Sequence, residues 1–128
     1  MSWQTILAIG SGGFIGAICR AYLNGLVNKN IPHDLPFGTL SVNILGSLIL
    51  GALFALFSNT SIFSLHIKSF LSTGMMGALT TYSTFALETF WLFNAGNIIL
   101  ALSNIVLNVV GTLVAAGIGY RGIIYFLK

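Results

Sequence analysis

Residues Gly74–Phe85 read GMMGALTTYSTF, in the middle of an otherwise membrane-grade apolar segment. Two helix-weakening glycines, Gly74 and Gly77, stand beside the hydroxyls of Thr80, Thr81, Ser83 and Thr84 and the rings of Tyr82 and Phe85. In hydrocarbon, a freed backbone group or a bare hydroxyl is costly unless protein or pore water satisfies it. Gathering so many at one depth implies contact with something polar, and in so apolar a chain an ion is the natural occupant. The four hydroxyls cannot all face one way on a regular helix. Two arrangements remain open: a helix broken at Gly74 and Gly77, with backbone carbonyls released to a cation, or a glycine-rich contact face whose hydroxyls bond back one turn.

The rest of the chain sets the context. Of 128 residues, 56% are hydrophobic and only 5% charged, whereas a soluble domain carries about 25% charged residues. The apolar runs are long and do not alternate, which argues for an all-α membrane protein and against a β-barrel. A span needs roughly 20 apolar residues, and four transmembrane helices are expected, near Trp3–Val27, Phe37–Phe57, Ile67–Phe93 and Ile98–Leu127. The third is expected to be broken. Pro32 and Pro36 punctuate the first connection, 28–36. The second, 58–66, is polar, and Asn94–Asn97 (NAGN) is a tight turn that makes the last two helices an antiparallel pair. The whole chain, 1–128, is expected to form one domain. The first segment has no basic start and places Arg20 and Asn24 where a signal peptide would be small and neutral. Cys19 is the lone cysteine, and His33 and His66 are expected in loops without metal-ligand spacing. A net charge of +3 does not point to nucleic acid. Lys68, Arg121 and Lys128 lie on the side of the termini, against Arg20 and Lys29 on the other. So weak a bias permits insertion either way or one fixed topology.

Residues four apart share a helix face, and each segment carries such a stripe. On the first helix, Gly12, Gly16, Arg20 and Asn24 align: two small residues for close helix approach, then a charge that either snorkels or attracts anions in a vestibule. On the second, Thr39, Asn43, Ser47, Gly51 and Ala55 run from polar to small, and Asn43 is either an interhelical clamp or a pore ligand. On the fourth, Asn104, Asn108 and Thr112 align as a polar track beside the small stripe Gly111, Ala115 and Gly119. Glu88 is the only glutamate, and an acid within a span is a functional candidate. No nucleophile-base pair, carboxylate pair or nucleotide fingerprint is present, so an enzyme is not expected. The lining groups are rich in donors, and Tyr82 and Phe85 can turn positive ring edges to an anion. A conduction path for a small anion fits this chemistry. The small stripes further lead to the expectation of a homodimer with pathways near the subunit interface.

Three stretches in this order and spacing, GAICR at Gly16–Arg20, GTLSVNILG at Gly38–Gly46 and GMMGALTTYSTF at Gly74–Phe85, make the chain resemble the Fluc (CrcB) fluoride channels over essentially its whole length. That resemblance implies an antiparallel, dual-topology homodimer in the cell inner membrane, with two passive fluoride pores and one structural sodium ion at the dimer axis. It further implies that the carbonyls of Gly77 and Thr80 hold the sodium, and that Asn43, Tyr82, Ser83, Thr84 and Phe85 line the fluoride path, with Asn108 and Thr112 on the track of the fourth helix. Arg20 matches a vestibule arginine, Thr39 lies at the mouth of the second-helix stripe, and Glu88 matches an acidic position at the end of the track. The family commonly carries Phe where this chain has Tyr82. A small multidrug exporter, also short and dual-topology, would instead carry a central acid in its first helix, where this chain has none. A non-conducting structural subunit would use the polar stripes as clamps.

Overall fold

A computed structural model describes all 128 residues as an all-helical bundle. Helix α1 spans Trp3–Asn30, α2 Phe37–Asn59, α3 Leu65–Ser69, α4 Gly77–Leu79, α5 Tyr82–Asn94 and α6 Ile98–Leu127, and a π-helical stretch, Phe70–Met76, joins α3 to α4. Helices α1, α2 and α6 are each long and apolar enough to cross a membrane. The fourth expected span is the broken series from α3 to α5. At 30 residues, α6 is about 45 Å long at 1.5 Å per residue, more than a hydrocarbon core of roughly 30 Å requires, so it has length to tilt.

Helix ends follow their sequence. Ser2 caps α1 by accepting from the Thr5 amide, and Ser64 caps α3 from Ile67. The NAGN turn closes α5 with Gly96 at φ 83°. The amides of Gly96 and Asn97 donate back to the carbonyls of Phe93 and Leu92, the paired bonds of a glycine-terminated helix. A left-handed residue is needed there, which is why glycine occupies it, and α5 and α6 then run as the expected antiparallel neighbours. In the first connection, the Asn28 side chain reaches across to accept from the Gly38 amide, which ties α1 to the start of α2.

Between spans in lipid the hydrophobic effect gives little drive, because lipid tails are as apolar as side chains, so close backbone approach and hydrogen bonds hold helices together. That is how this bundle uses its glycines. A Cβ on Gly12 or Gly16 would strike the carbonyls of Phe70 or Met75 in the π-helical stretch, and one on Gly74 would meet Gly12 Cα at 3.0 Å. A Cβ on Gly51 or Gly119 would likewise strike the carbonyls of Ala116 or Leu48 where α2 crosses α6. A small apolar core of Val42, Met76 and Leu79 fills the space between. Large side chains such as Phe14, Tyr22, Val106, Leu113 and Ile118 face outward, as a lipid-exposed surface requires.

Four expectations change. The first helix runs on to Asn30 and the third segment begins at Leu65, which places His66 within a helix instead of a loop. The break is not at the glycines: Gly74 lies in the π-helical stretch and Gly77 keeps right-handed helical geometry, while Thr80 and Thr81 turn extended, at ψ 155° and 114°. Gly74 serves close contact with α1, whereas a Cβ on Gly77 would meet nothing nearer than Ser72 O at 3.7 Å. Finally, the glycine stripes of α1, α2 and α6 are used within one chain, so they carry no argument for a second copy.

Candidate functional site: a polar groove at the helix break

The break is held open by one side chain. A continuing helix would send the Thr81 amide to the Gly77 carbonyl. Instead the Thr81 N–H donates to Asn43 Oδ1 at 2.7 Å, and Asn43 Nδ2 donates to the Thr81 carbonyl at 3.1 Å. The α2 side chain thus satisfies both backbone groups of the displaced residue. Thr81 then caps α5: its hydroxyl accepts from the Thr84 amide at 3.2 Å and donates to the Thr84 hydroxyl at 2.9 Å. Buried polar groups demand such partners. With the Thr81 and Thr84 amides diverted and Thr80 N–H bonded to Met76 O, the carbonyls of Gly77 and Thr80 receive none of their usual helical donors.

Asn43 also begins a directed chain of hydrogen bonds. Its Nδ2 donates to Asn108 Oδ1 at 3.0 Å. Asn108 Nδ2 donates to the Asn104 carbonyl and to Asn104 Oδ1, at 3.0 and 3.1 Å. Asn104 Nδ2 donates to the Thr89 hydroxyl at 2.9 Å, which donates to the Phe85 carbonyl at 2.7 Å. Backbone groups fix the sense at both ends, because an amide N–H can only donate and a carbonyl can only accept. All four side chains are buried, Asn104 completely. Both hydrogens of the Asn43 amide and both of the Asn108 amide are therefore engaged by protein.

Most of the predicted residues line one of three openings. A groove of about 260 Å³ is walled by Asn43, Ser47, Thr80, Thr81, Tyr82, Phe85, Asn108 and Thr112, with Leu50 and Val109. The rings of Tyr82 and Phe85 meet edge to face at 66°, their centroids 5.5 Å apart. Phe85 is 7% exposed and Tyr82 80%, so one ring is fixed and the other stands free. Thr112 donates to the Asn108 carbonyl at 2.5 Å and Thr80 to the Met76 carbonyl at 3.0 Å. Thr81 also walls a second cavity of about 230 Å³, with Arg20, Asn24, Thr39 and Thr84. Thr39 in turn lies beside the Glu88 carboxyl, which faces a third opening of about 250 Å³ with Asp34, Trp91 and Asn97. Glu88 Oε1 is buried without a hydrogen-bond partner. Ser83 is exposed and lines none of these openings, and Gly77 lies outside them as well.

Residues 7–120 match the family described as CrcB-like protein, Camphor Resistance (CrcB). The chain belongs to the CrcB-like family. Proteins named Fluoride-specific ion channel FluC are similar to it along nearly their full lengths. That of Sulfurimonas denitrificans is 65% identical over 120 residues, covering 94% of this chain and 93% of its own. That of Nautilia profundicola is 56% identical over 128 residues, with both chains covered in full. That of Campylobacter jejuni is 48% identical over 117 residues, covering 91% of this chain and 95% of its own. This CrcB-like chain is a multi-pass membrane protein, with three continuous spans and a broken fourth.

Within it, two residues of the network were not singled out as site residues by the sequence. Thr81 is the hub of the break, and its one local signal is its place three residues before Thr84, the spacing of a threonine cap. Thr89 closes the hydrogen-bond chain, and its spacing four past Phe85 signals only a bond back to that carbonyl. Ser47, noted on the α2 stripe, reaches the groove wall.

Proposed function

We propose that this chain is a passive, fluoride-selective ion channel that releases cytoplasmic fluoride across the cell inner membrane. It works as an antiparallel, dual-topology homodimer with two pores and a structural sodium ion, and it is not an enzyme. The observation that carries this reading is the groove at the break, where amides, hydroxyls and an edge-to-face aromatic pair converge within a lipid-facing bundle. The FluC names of relatives up to 65% identical support the choice of fluoride.

The chemistry of each wall suits a small, strongly accepting anion. Arg20 in the second cavity attracts negative charge toward the mouth. The Tyr82 hydroxyl and the Ser47 hydroxyl carry no intramolecular hydrogen bond and are ready donors. Phe85 presents a ring held in place by burial, and aromatic edges are electropositive. Tyr82, exposed in the single chain, becomes a second pore wall when another copy covers that face. Ser83, outside the groove, joins the path only in that assembly. Hydrogen fluoride crosses membranes as a neutral acid and dissociates in a less acidic cytoplasm. A negative interior then drives the anion outward with about 2.3 kcal/mol per 100 mV, and no coupled ion or nucleotide is needed.

The donors at the break fit a sodium ion. Hard cations take oxygen ligands, and unwound carbonyls in a membrane are a known source of them. Gly77 and Thr80 supply two such carbonyls, released because Asn43 takes the Thr81 amide and the Thr81 hydroxyl takes the Thr84 amide. Bound there, sodium would neutralise carbonyl dipoles and join the breaks of two subunits. Conduction itself rests on the groove residues.

The test is efflux from liposomes loaded with fluoride or chloride, at a potential set by an ionophore. Selective fluoride release is expected. Absence of fluoride release from folded protein would overturn the assignment.

A further inference from the structure

We propose that Asn108 and Asn104 set the channel's fluoride affinity by acting as internal competitors for the amide hydrogens that meet the anion. This rests on the reading of the groove as a fluoride path. Asn43 faces the groove, yet one of its amide hydrogens is held by Asn108 Oδ1 at 3.0 Å and the other by the Thr81 carbonyl at 3.1 Å. The Thr81 bond belongs to the break and stays. The Asn108 bond joins two side chains and is the one an arriving anion displaces. Asn108 is masked in the same way one step further on, by Asn104 Oδ1 at 3.1 Å and the Asn104 carbonyl.

A masked donor weakens binding by the free energy of the bond that must open. It also returns that free energy when the anion leaves, because the amide re-forms its internal bond. Conduction requires binding favourable enough for the ion to enter and weak enough for it to leave. An asparagine serves this purpose better than a serine or an alanine, because its carbonyl oxygen reaches the neighbouring amide while its own N–H groups continue the chain. Asn108 and Asn104 therefore act as positioning residues: they hold and release the donors of the residue before them.

Efflux of fluoride is measured against fluoride concentration in liposomes for the wild type, Asn108→Ala and Asn104→Ala. Asn108→Ala leaves one Asn43 hydrogen facing the groove and gives up only donors that Asn104 already holds. Its half-saturating concentration is expected to fall about fivefold, the net worth of one intramolecular hydrogen bond at ~1 kcal/mol, and its maximal rate is expected to fall as release slows. Asn104→Ala unmasks one Asn108 hydrogen while the backbone carbonyl still holds the other, so a smaller shift in the same direction is expected. A damaged fold lowers the rate without tightening binding, so the opposed changes separate the two causes. An unchanged or raised half-saturating concentration in either folded variant overturns the proposal, and if Asn108→Ala does not fold, Asn104→Ala decides. Wild-type protein without fluoride efflux removes the channel reading and this inference with it, whereas wild-type efflux with unshifted variants removes this inference alone.

Discussion

Replacing Asn43 with leucine, close to it in volume, removes the one side chain that holds the break. Three hydrogen bonds go at once: two to the Thr81 backbone and one to Asn108. Leaving a buried donor or acceptor without its partner costs about 1–3 kcal/mol, and Thr81, itself 8% exposed, has both groups at stake. Part of this loss is recoverable, because the Thr81 amide can return to Gly77 O, the partner a continuous helix would give it. Asn43→Leu is therefore expected to lower stability by about 3–5 kcal/mol, from two unrecovered bonds worth ~1 kcal/mol each plus one stranded group at about 1–3 kcal/mol. Equilibrium unfolding in detergent measures the loss, and hydrogen exchange at the Thr81 amide reports whether the break has closed. A cycle with Asn108→Leu isolates the shared bond, for which coupling of about 1 kcal/mol is expected. A loss below about 0.5 kcal/mol, within the range of ordinary surface substitutions, with unchanged Thr81 exchange, would refute the claim that Asn43 holds the break open.

Three further outcomes follow from the proposed channel. Phe85→Ile keeps an apolar wall but removes the ring edge beside the groove, so fluoride efflux should fall by at least tenfold; unchanged efflux strikes Phe85 from the path. Replacing sodium with lithium or potassium should loosen the dimer in size-exclusion chromatography and lower its melting temperature, whereas indifference to the cation removes Gly77 and Thr80 as its ligands. Glu88→Gln preserves shape and replaces the carboxyl at the third opening with an amide, and fluoride efflux should change by less than about threefold; complete loss with the fold intact would assign Glu88 a role in the path itself.

What was legible in the sequence were features decided by near neighbours. The NAGN turn needs one left-handed residue, and Gly96 supplies it. The α2 and α6 stripes follow from helical spacing alone, and they bring Asn43 and Asn108 within 3.0 Å of each other. The site of the break was not legible, because it is decided at a distance. Low helix propensity points to Gly74 and Gly77, but glycines in a bilayer also permit backbones to touch, and Gly74 is buried against α1 for that reason. Thr81 turns extended where an amide 38 residues earlier in the chain offers its backbone both an acceptor and a donor. The choice between clamp and pore ligand for Asn43 has a related outcome. It clamps Thr81 and Asn108 and also stands in the groove wall, so the clamp is observed and the pore role is proposed. Ser83 and Thr84, adjacent in sequence, separate because α5 starts at Tyr82 and turns them to different faces.

The break also gives a physical reason for association that the glycine stripes do not. A helix interrupted inside a bilayer frees donors on one side of the gap and acceptors on the other, and each needs a partner. Two of the freed donors are held within the chain: Thr81 N–H goes to Asn43, and Thr84 N–H to the Thr81 hydroxyl. On the acceptor side, the carbonyls of Gly77 and Thr80 are without those donors, and Gly77 is exposed at the surface. Tyr82, two residues past Thr80, is exposed as well. A single subunit in lipid would leave those carbonyls to an apolar solvent, at a cost of several kcal/mol for each unsatisfied group. In the proposed assembly, a cation shared with a second copy would relieve that cost and would cover Tyr82 in the same step. The proposed dimer and the proposed sodium are thus two answers to one unmet requirement, and a variant that closes the break, such as Asn43→Leu, should weaken both together.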